Sequence, residues 1–330
     1  MDGTRTMRWL CSTPLGRIGR VHSRQLSALP SRCRIYEVGP RDGLQNESTL
    51  VDTPTKVEFI NRLSQIGAAA VETTSFVSAK AIPQMADCDA VMDGIDKVAG
   101  VEYPVLVLNL KGFERARAAG ATSVAIMTVP SATFAQRNNN CTPDETMRRA
   151  EEIARAATSC GVRVRGYVSC ALGCPFEGPI APAPVADMAG RLFSAGCHEV
   201  CLADTIGTGT AGSMRALLAS VLPKVPASHL AVHCHDTYGQ ALANIYVALQ
   251  HGVTTIDSSV AGLGGCPFAG PGASGNVATE DVVFMLDGLG IHSGVCFAKA
   301  VEAGQFIVDA IGRTNASRAS VAYQRRARAA

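Results

Sequence analysis

The chain has no apolar run approaching the ~20 residues of a membrane span, so no transmembrane helix and no membrane partner are expected. Twelve cysteines occur without a Cys-x-x-Cys pair, which removes the commonest zinc-finger spacing. Cys170 and Cys174 stand four apart, and in a reducing compartment most of the thiols are expected free and buried. No compact apolar core of a secretory signal is present, so the Asn-x-Ser/Thr triplets at Asn46, Asn140 and Asn315 read as chance. The C-terminus carries no peroxisomal tripeptide.

Acid is nearly missing from both ends. Residues 1–33 hold six arginines and one acid, Asp2, and residues 313–330 hold five arginines and no acid. Each end carries +5, so the body between them carries −8 against a chain total of +2. An acidic body argues against a nucleic-acid partner. The Arg-, Ser- and Leu-rich leader has the composition of a mitochondrial transit peptide, which predicts a matrix location. The basic tail 313–330 is expected to be disordered.

From Arg34 a repeating pattern sets in. Eight β-rich runs alternate with amphipathic stretches: Ile35–Val38, Ala69–Thr74, Val105–Leu108, Val124–Val129, Val164–Cys170, Glu199–Asp204, Leu230–His235 and Thr255–Val260. Helical stretches such as 53–67 and 142–161 open with Asp or Thr and Pro and stop at Gly. Eight strand–helix units imply right-handed parallel crossovers, and closing them gives a (β/α)8 TIM barrel over residues 34–312, with extra C-terminal helices from about Val295. An open doubly wound sheet would want a glycine-rich phosphate turn after its first strand, and Gly39-Pro-Arg-Asp-Gly43 is not one.

Barrel chemistry gathers at the carboxyl ends of the strands, and polar residues collect there: Arg41 and Asp42 after run one, Glu72 in run two, Asp204 ending run six, His233 and His235 in run seven, and Cys266 and Asn276 in a glycine-rich stretch after run eight. The two-residue spacing puts both imidazoles on one strand face and Cys234 on the other. Charges inside a barrel are costly unless paired or metal-bound. Asp42, His233, His235 and Asn276 form a mixed O/N donor set without thiolate, which suits Mg2+ or Mn2+ and leaves zinc possible. Glu72 and Asp204 fit as ligands, as orienters of ligands or as ion-pair partners. Arg41 is a permanent cation suited to an enolate oxygen, or to a salt bridge with Glu72, and Cys266 could move a proton.

Four blocks together resemble the 3-hydroxy-3-methylglutaryl-CoA lyase family: Glu37–Glu47, Val168–Pro175, Val232–Ala241 and Gly262–Asn276. The resemblance runs from about Ile35 to Ile311. It implies a metal-dependent barrel lyase, usually a homodimer, that cleaves an acyl-CoA to acetyl-CoA and acetoacetate in ketone-body formation and leucine breakdown. It also implies metal ligands Asp42, His233, His235 and Asn276, Arg41 at the substrate's thioester and Cys266 as a catalytic thiol. The chain departs from the family pattern at Gly270-Pro271, one residue longer, which alters the reach to Asn276, and at Ala203, where glycine is usual. Asp204 or His233 could serve as the base that takes the substrate's hydroxyl proton. Two other readings compete: an acyl-CoA condensing synthase of related barrel design, and a metal-binding scaffold without activity. The glycine loop around Cys266 and the lack of a long regulatory C-terminal domain argue against the first, and retention of the reactive set argues against the second.

Overall fold

The computed structural model describes residues 29–265 and 275–329. Nine parallel strands follow in chain order: β1 (Arg34–Glu37), β2 (Ala70–Val71), β3 (Thr74–Ser75), β4 (Val105–Leu106), β5 (Ser123–Thr128), β6 (Arg163–Val168), β7 (Glu199–Asp204), β8 (Leu230–Cys234) and β9 (Thr255–Ser258). Their order around the sheet is β2-β1-β9-β8-β7-β6-β5-β4-β3. β2 and β3 are two halves of the single run expected at Ala69–Thr74, so the ends of that order meet and the barrel closes. Between the halves the chain changes partner: the Glu72 N–H donates to the Glu37 carbonyl at 2.8 Å and the Thr73 N–H to the Pro104 carbonyl at 3.0 Å. Pro104 offers a carbonyl but no N–H, which interrupts the ladder there.

The surrounding helices are α1 (Thr53–Ser64), α2 (Cys88–Gly94), α3 (Leu110–Ala118), α4 (Ala132–Asn139) and α5 (Pro143–Ser159) in the first half. The second half adds α6 (Pro182–Ser194), α7 (Ala211–Val221), α8 (Ala241–Gln250) and α9 (Thr279–Gly288), followed by α10 (Phe297–Ile311) and α11 (Arg318–Ala329). The caps are those the sequence signals: the Asp52 carboxylate accepts from Thr55 N–H in α1 and Thr142 Oγ1 from Glu145 N–H in α5. α1 buries Phe59, Ile60 and Leu63 completely, each contributing about 1.5–3 kcal/mol.

Strand alternation sorts the side chains into two populations. Leu230, Val232 and Cys234 join the large apolar layer between sheet and helices, as do Val164, Val168, Val200 and Ile256. The opposite face of the same strands fills the barrel with Tyr167, Cys201 and Ala231, together with buried Arg165, Glu199, His233 and Asp257. The barrel interior therefore carries charged and polar side chains, and the site lies above them at the carboxyl end of the strands.

Both termini differ from expectation. Ser31–Cys33, placed with the leader, belong to the folded body: Cys33 N–H donates to the His292 carbonyl and His292 N–H to the Ser31 carbonyl, both at 3.0 Å. Pairing across the barrel bottom outweighs their leader-like composition. The tail expected to be disordered forms α11. Its first turn borrows a carboxylate from the acidic body, because Asp281 of α9 accepts from Ala319 N–H at 2.7 Å and from the Ser317 hydroxyl at 2.8 Å. Ser317 Oγ accepts in turn from Ser320 N–H, and Tyr323 packs edge-on against Phe297 with centroids 5.5 Å apart. A carboxylate at a helix N-terminus is stabilising, and no residue of the tail itself could supply it.

Candidate active site

A π-helical turn, Gly39–Gly43, follows β1 and turns Arg41 and Asp42 over the barrel mouth. Its start needs glycine, since a Cβ at Gly39 would sit 2.7 Å from Glu37 Oε1. Opposite, β8 presents His233, His235 stands just past its end, and the two ring centroids are 5.1 Å apart. Asp42 Oδ2 lies 3.9 Å from His233 Nε2 and 3.8 Å from His235 Nε2, beyond direct hydrogen-bond reach, and one donor atom from each residue lies within 4.8 Å of the others. Burial works to raise the Asp42 carboxyl, but the Arg41 charge and the two imidazoles outweigh it and hold it well below the ordinary carboxylate range. Burial lowers His235 despite Asp42.

Asn276 reaches the same place even though the longer stretch precedes it. A bridge pairs it with His235, and flanking bonds from Val277 N–H to Cys234 O and Asp236 N–H to Gly275 O hold the strand-like pairing. Its amide nitrogen donates to Asp42 Oδ2 at 2.9 Å and to the Leu263 carbonyl at 3.0 Å. In this arrangement Asn276 is a donor to Asp42 rather than an oxygen presented to an ion. Gly264, at φ +116°, makes room for it: a Cβ there would lie 2.7 Å from Asn276 Nδ2.

Arg41 is 2% exposed and pairs with two carboxylates, Glu72 Oε1 at 2.5 Å through Nε and Asp42 Oδ1 at 2.6 Å through Nη1. Glu72 thus sits as the ion-pair partner of Arg41, and its Oε2 accepts from the Tyr167 hydroxyl at 2.8 Å. Asp204 Oδ2 accepts from Gly209 N–H at 2.9 Å, while its Oδ1 is buried without a hydrogen-bond partner among the described residues. Burial raises the Asp204 carboxyl to about 6 against the backbone donors of the Gly207–Gly209 turn. Cys266 and the Gly270-Pro271 departure lie outside the described residues.

Beneath this rim lies a charged layer that the strand runs did not bring to attention. Arg165 donates to both oxygens of Asp257, at 3.0 and 2.6 Å, and to Glu199 at 2.8 Å. Asp257 also receives the Tyr167 hydroxyl at 3.0 Å and lies 3.2 Å from His233 Nδ1. The sequence signal was present in outline, because Arg165 and Asp257 are charges at inward-facing positions of strands and need partners. Outside the barrel, Glu37 accepts from Gly39 N–H, Val260 N–H and the Thr279 hydroxyl, and Glu280 accepts twice from Ala261 N–H. Burial lifts Glu37 to about 7 and Glu280 to about 8.

A divalent ion fits these residues on two counts. The connected buried layer sets two guanidiniums, Arg41 and Arg165, against four carboxylates, Asp42, Glu72, Glu199 and Asp257, with Arg34 touching Glu199 from the half-exposed lower rim. The excess is negative, and next to Asp42 it faces two imidazoles rather than a third guanidinium. The O/N donor set is also one that hard and borderline divalent ions take.

The family model described as HMGL-like matches residues 32–307. The chain belongs to that family. It is 55% identical over 308 residues to the Pongo abelii protein named mitochondrial hydroxymethylglutaryl-CoA lyase, covering 93% of this chain and 94% of that one. It is 54% identical over 298 residues to the rat protein named cytoplasmic 3-hydroxy-3-methylglutaryl-CoA lyase, covering 90% and 87%. The crystal structure of hydroxymethylglutaryl-CoA lyase from Pseudomonas aeruginosa superposes with a TM-score of 0.88 at 49% identity, covering 91% of this chain and 99% of that one. The α/β barrel is thus that of solved lyases.

Proposed function

We propose that the protein is a 3-hydroxy-3-methylglutaryl-CoA lyase, cleaving its substrate to acetyl-CoA and acetoacetate. The observation that carries the reading is the convergence of Asp42, His233 and His235 beside the paired Arg41 at the barrel mouth, in a chain of this family. Asp42, His233 and His235, with Asn276 beside them, would hold Mg2+ or Mn2+. The ion, when bound, supplies Lewis acidity that lowers the pKa of the substrate's tertiary hydroxyl.

Of the two candidate bases, Asp204 is the one with an uncommitted oxygen. Its Oδ1 has no partner among the described residues, whereas His233 is committed at Nδ1 to Asp257 and faces Asp42 through Nε2. Asp204 takes the hydroxyl proton. As the ketone of acetoacetate forms, the carbon–carbon bond breaks and its electron pair passes into the thioester as an enolate. Arg41 places a permanent positive charge by that oxygen. Cys266 then protonates the enolate carbon, giving acetyl-CoA, and regains a proton from Asp204 by way of solvent. Glu72 keeps Arg41 in place.

Incubation with 3-hydroxy-3-methylglutaryl-CoA should release acetyl-CoA and acetoacetate in equal amounts. Consumption of acetyl-CoA with a 2-oxo acid, and no cleavage, would place the protein among the condensing synthases instead. The proposal extends to a homodimer, to be checked by light scattering. It extends also to a mitochondrial matrix location, supported by the acid-poor leader, although relatives carry both mitochondrial and cytoplasmic names. A fluorescent protein fused behind residues 1–30 should enter mitochondria.

A further inference from the structure

We infer that Asp257 is a positioning residue that fixes His233 as its Nδ1–H tautomer before any ion arrives, making His233 the preset ligand and His235 the adjustable one. Asp257 is buried in the barrel interior, and apart from His233 its partners among the described residues are donors. Arg165 donates to Oδ1 at 2.6 Å and to Oδ2 at 3.0 Å. The Tyr167 hydroxyl, whose one proton is shared with Glu72 Oε2 at 2.8 Å, reaches Oδ2 at 3.0 Å, and the Cys201 thiol does so at 3.6 Å. The carboxylate cannot swing away, because Arg165 is itself pinned by Glu199 at 2.8 Å and stacked between the rings of Tyr36 and Tyr167, 3.9 and 4.7 Å from their centroids. A carboxylate so held only accepts. The 3.2 Å contact with His233 Nδ1 is a hydrogen bond only if that nitrogen carries the proton. The lone pair is then on Nε2, the atom facing Asp42. A carboxylate behind a ligating imidazole sets tautomer and ring orientation in this way.

His235 has no such support. Its Nδ1 is buried without a hydrogen-bond partner among the described residues, so none of these selects its tautomer or fixes its ring from behind. The two imidazoles, alike in sequence, are therefore unequal. The inequality traces to a residue on the neighbouring strand: His233 and Asp257 are register partners of β8 and β9.

This inference rests on the metal reading above, and its test separates the two. In the full-length metal-free protein labelled with 15N-histidine, held at pH 8, the ring nitrogens of His233 are assigned by their loss in His233→Gln. A protonated Nδ1 and an unprotonated Nε2 are expected, and the opposite or an averaged tautomer overturns the proposal. Mn2+ affinity is then measured by electron paramagnetic resonance. Asp257→Asn should weaken it ~10–100-fold, and unchanged affinity overturns the proposal. A purely structural role would lower the melting temperature of the metal-free variant and leave the affinity of its folded fraction intact. If Asp257→Asn fails to fold, the wild-type tautomer decides alone. If wild-type protein binds no Mn2+, the metal reading fails, while the tautomer measurement still judges Asp257.

Discussion

Replacing Arg41 by methionine separates its two duties. The side chain is buried and neutralises Glu72 and Asp42 at 2.5 and 2.6 Å. Methionine fills much of the same volume and carries no charge. Removing one partner of a buried pair costs about 3–5 kcal/mol, and two carboxylates are stranded here, so the upper end applies. Against a usual total of about 5–15 kcal/mol the variant should fold but denature at clearly lower urea. Loss of a preorganised charge at the enolate oxygen should cost a further ~10²–10³ in turnover. Adding Glu72→Gln removes one stranded anion and leaves an oxygen for the Tyr167 hydroxyl, which now reaches Glu72 at 2.8 Å. The double variant should regain most of the lost stability and none of the lost turnover. Urea denaturation followed by circular dichroism gives the first quantity, and acetoacetate release at saturating Mn2+ gives the second. Recovery of near-native turnover in the double variant would show that Arg41 serves only to neutralise Glu72, and the catalytic assignment would fall.

Asp204 sets a pH limb: it must be unprotonated to act, and burial raises it to about 6, so kcat/KM should climb as pH rises through about 6, and Asp204→Asn should lose ~10²–10⁴ in rate. A flat acid limb in the wild type would exclude it as the base. Glu280 affects stability: raised to about 8 by burial, it holds a proton when folded that the unfolded chain gives up at ordinary carboxylate pH. Its contribution is therefore full in acid and is lost as pH rises through about 8. Glu280→Gln, which keeps an acceptor for Ala261 N–H, should flatten the fall in melting temperature between about pH 5 and 8, and an unaltered slope would contradict the assignment. Cys266→Ser should bind Mn2+ normally yet turn over far more slowly, since serine is a much weaker acid. Near-native kcat in that variant would move the proton donation elsewhere.

How much of this was legible in the sequence depends on what each residue leans on. Strand periodicity and Pro/Gly punctuation are local, so the barrel and the caps at Asp52 and Thr142 could be read directly. His233 and His235 share a face because a strand repeats every two residues, and Asp42 joins them because strand ends converge in a closed barrel. What escaped depends on distant partners. Asp257 acquires meaning only beside Arg165, 92 positions earlier, whereas the Arg41–Glu72 ion pair was one of the readings the sequence left open and needed a contact 31 residues away to be chosen. The tail illustrates the same point: by composition it is an arginine-rich segment without acid, and the carboxylate at its first helical turn comes from Asp281. Ser31–Cys33 were assigned to the leader because composition carries no record of the pairing with His292.

Metal-dependent cleavage is the central claim, and one titration addresses it. The full-length protein is stripped with a chelator and returned to metal-free buffer, and acetoacetate release is followed as Mn2+ is added in fractions of an equivalent, alongside His235→Ala. The wild type should be inactive when stripped and should recover along a curve that saturates with its Mn2+ binding isotherm, while His235→Ala needs higher Mn2+ and recovers only in part. Cleavage by the stripped wild-type protein, or an unchanged titration in His235→Ala, would contradict the account.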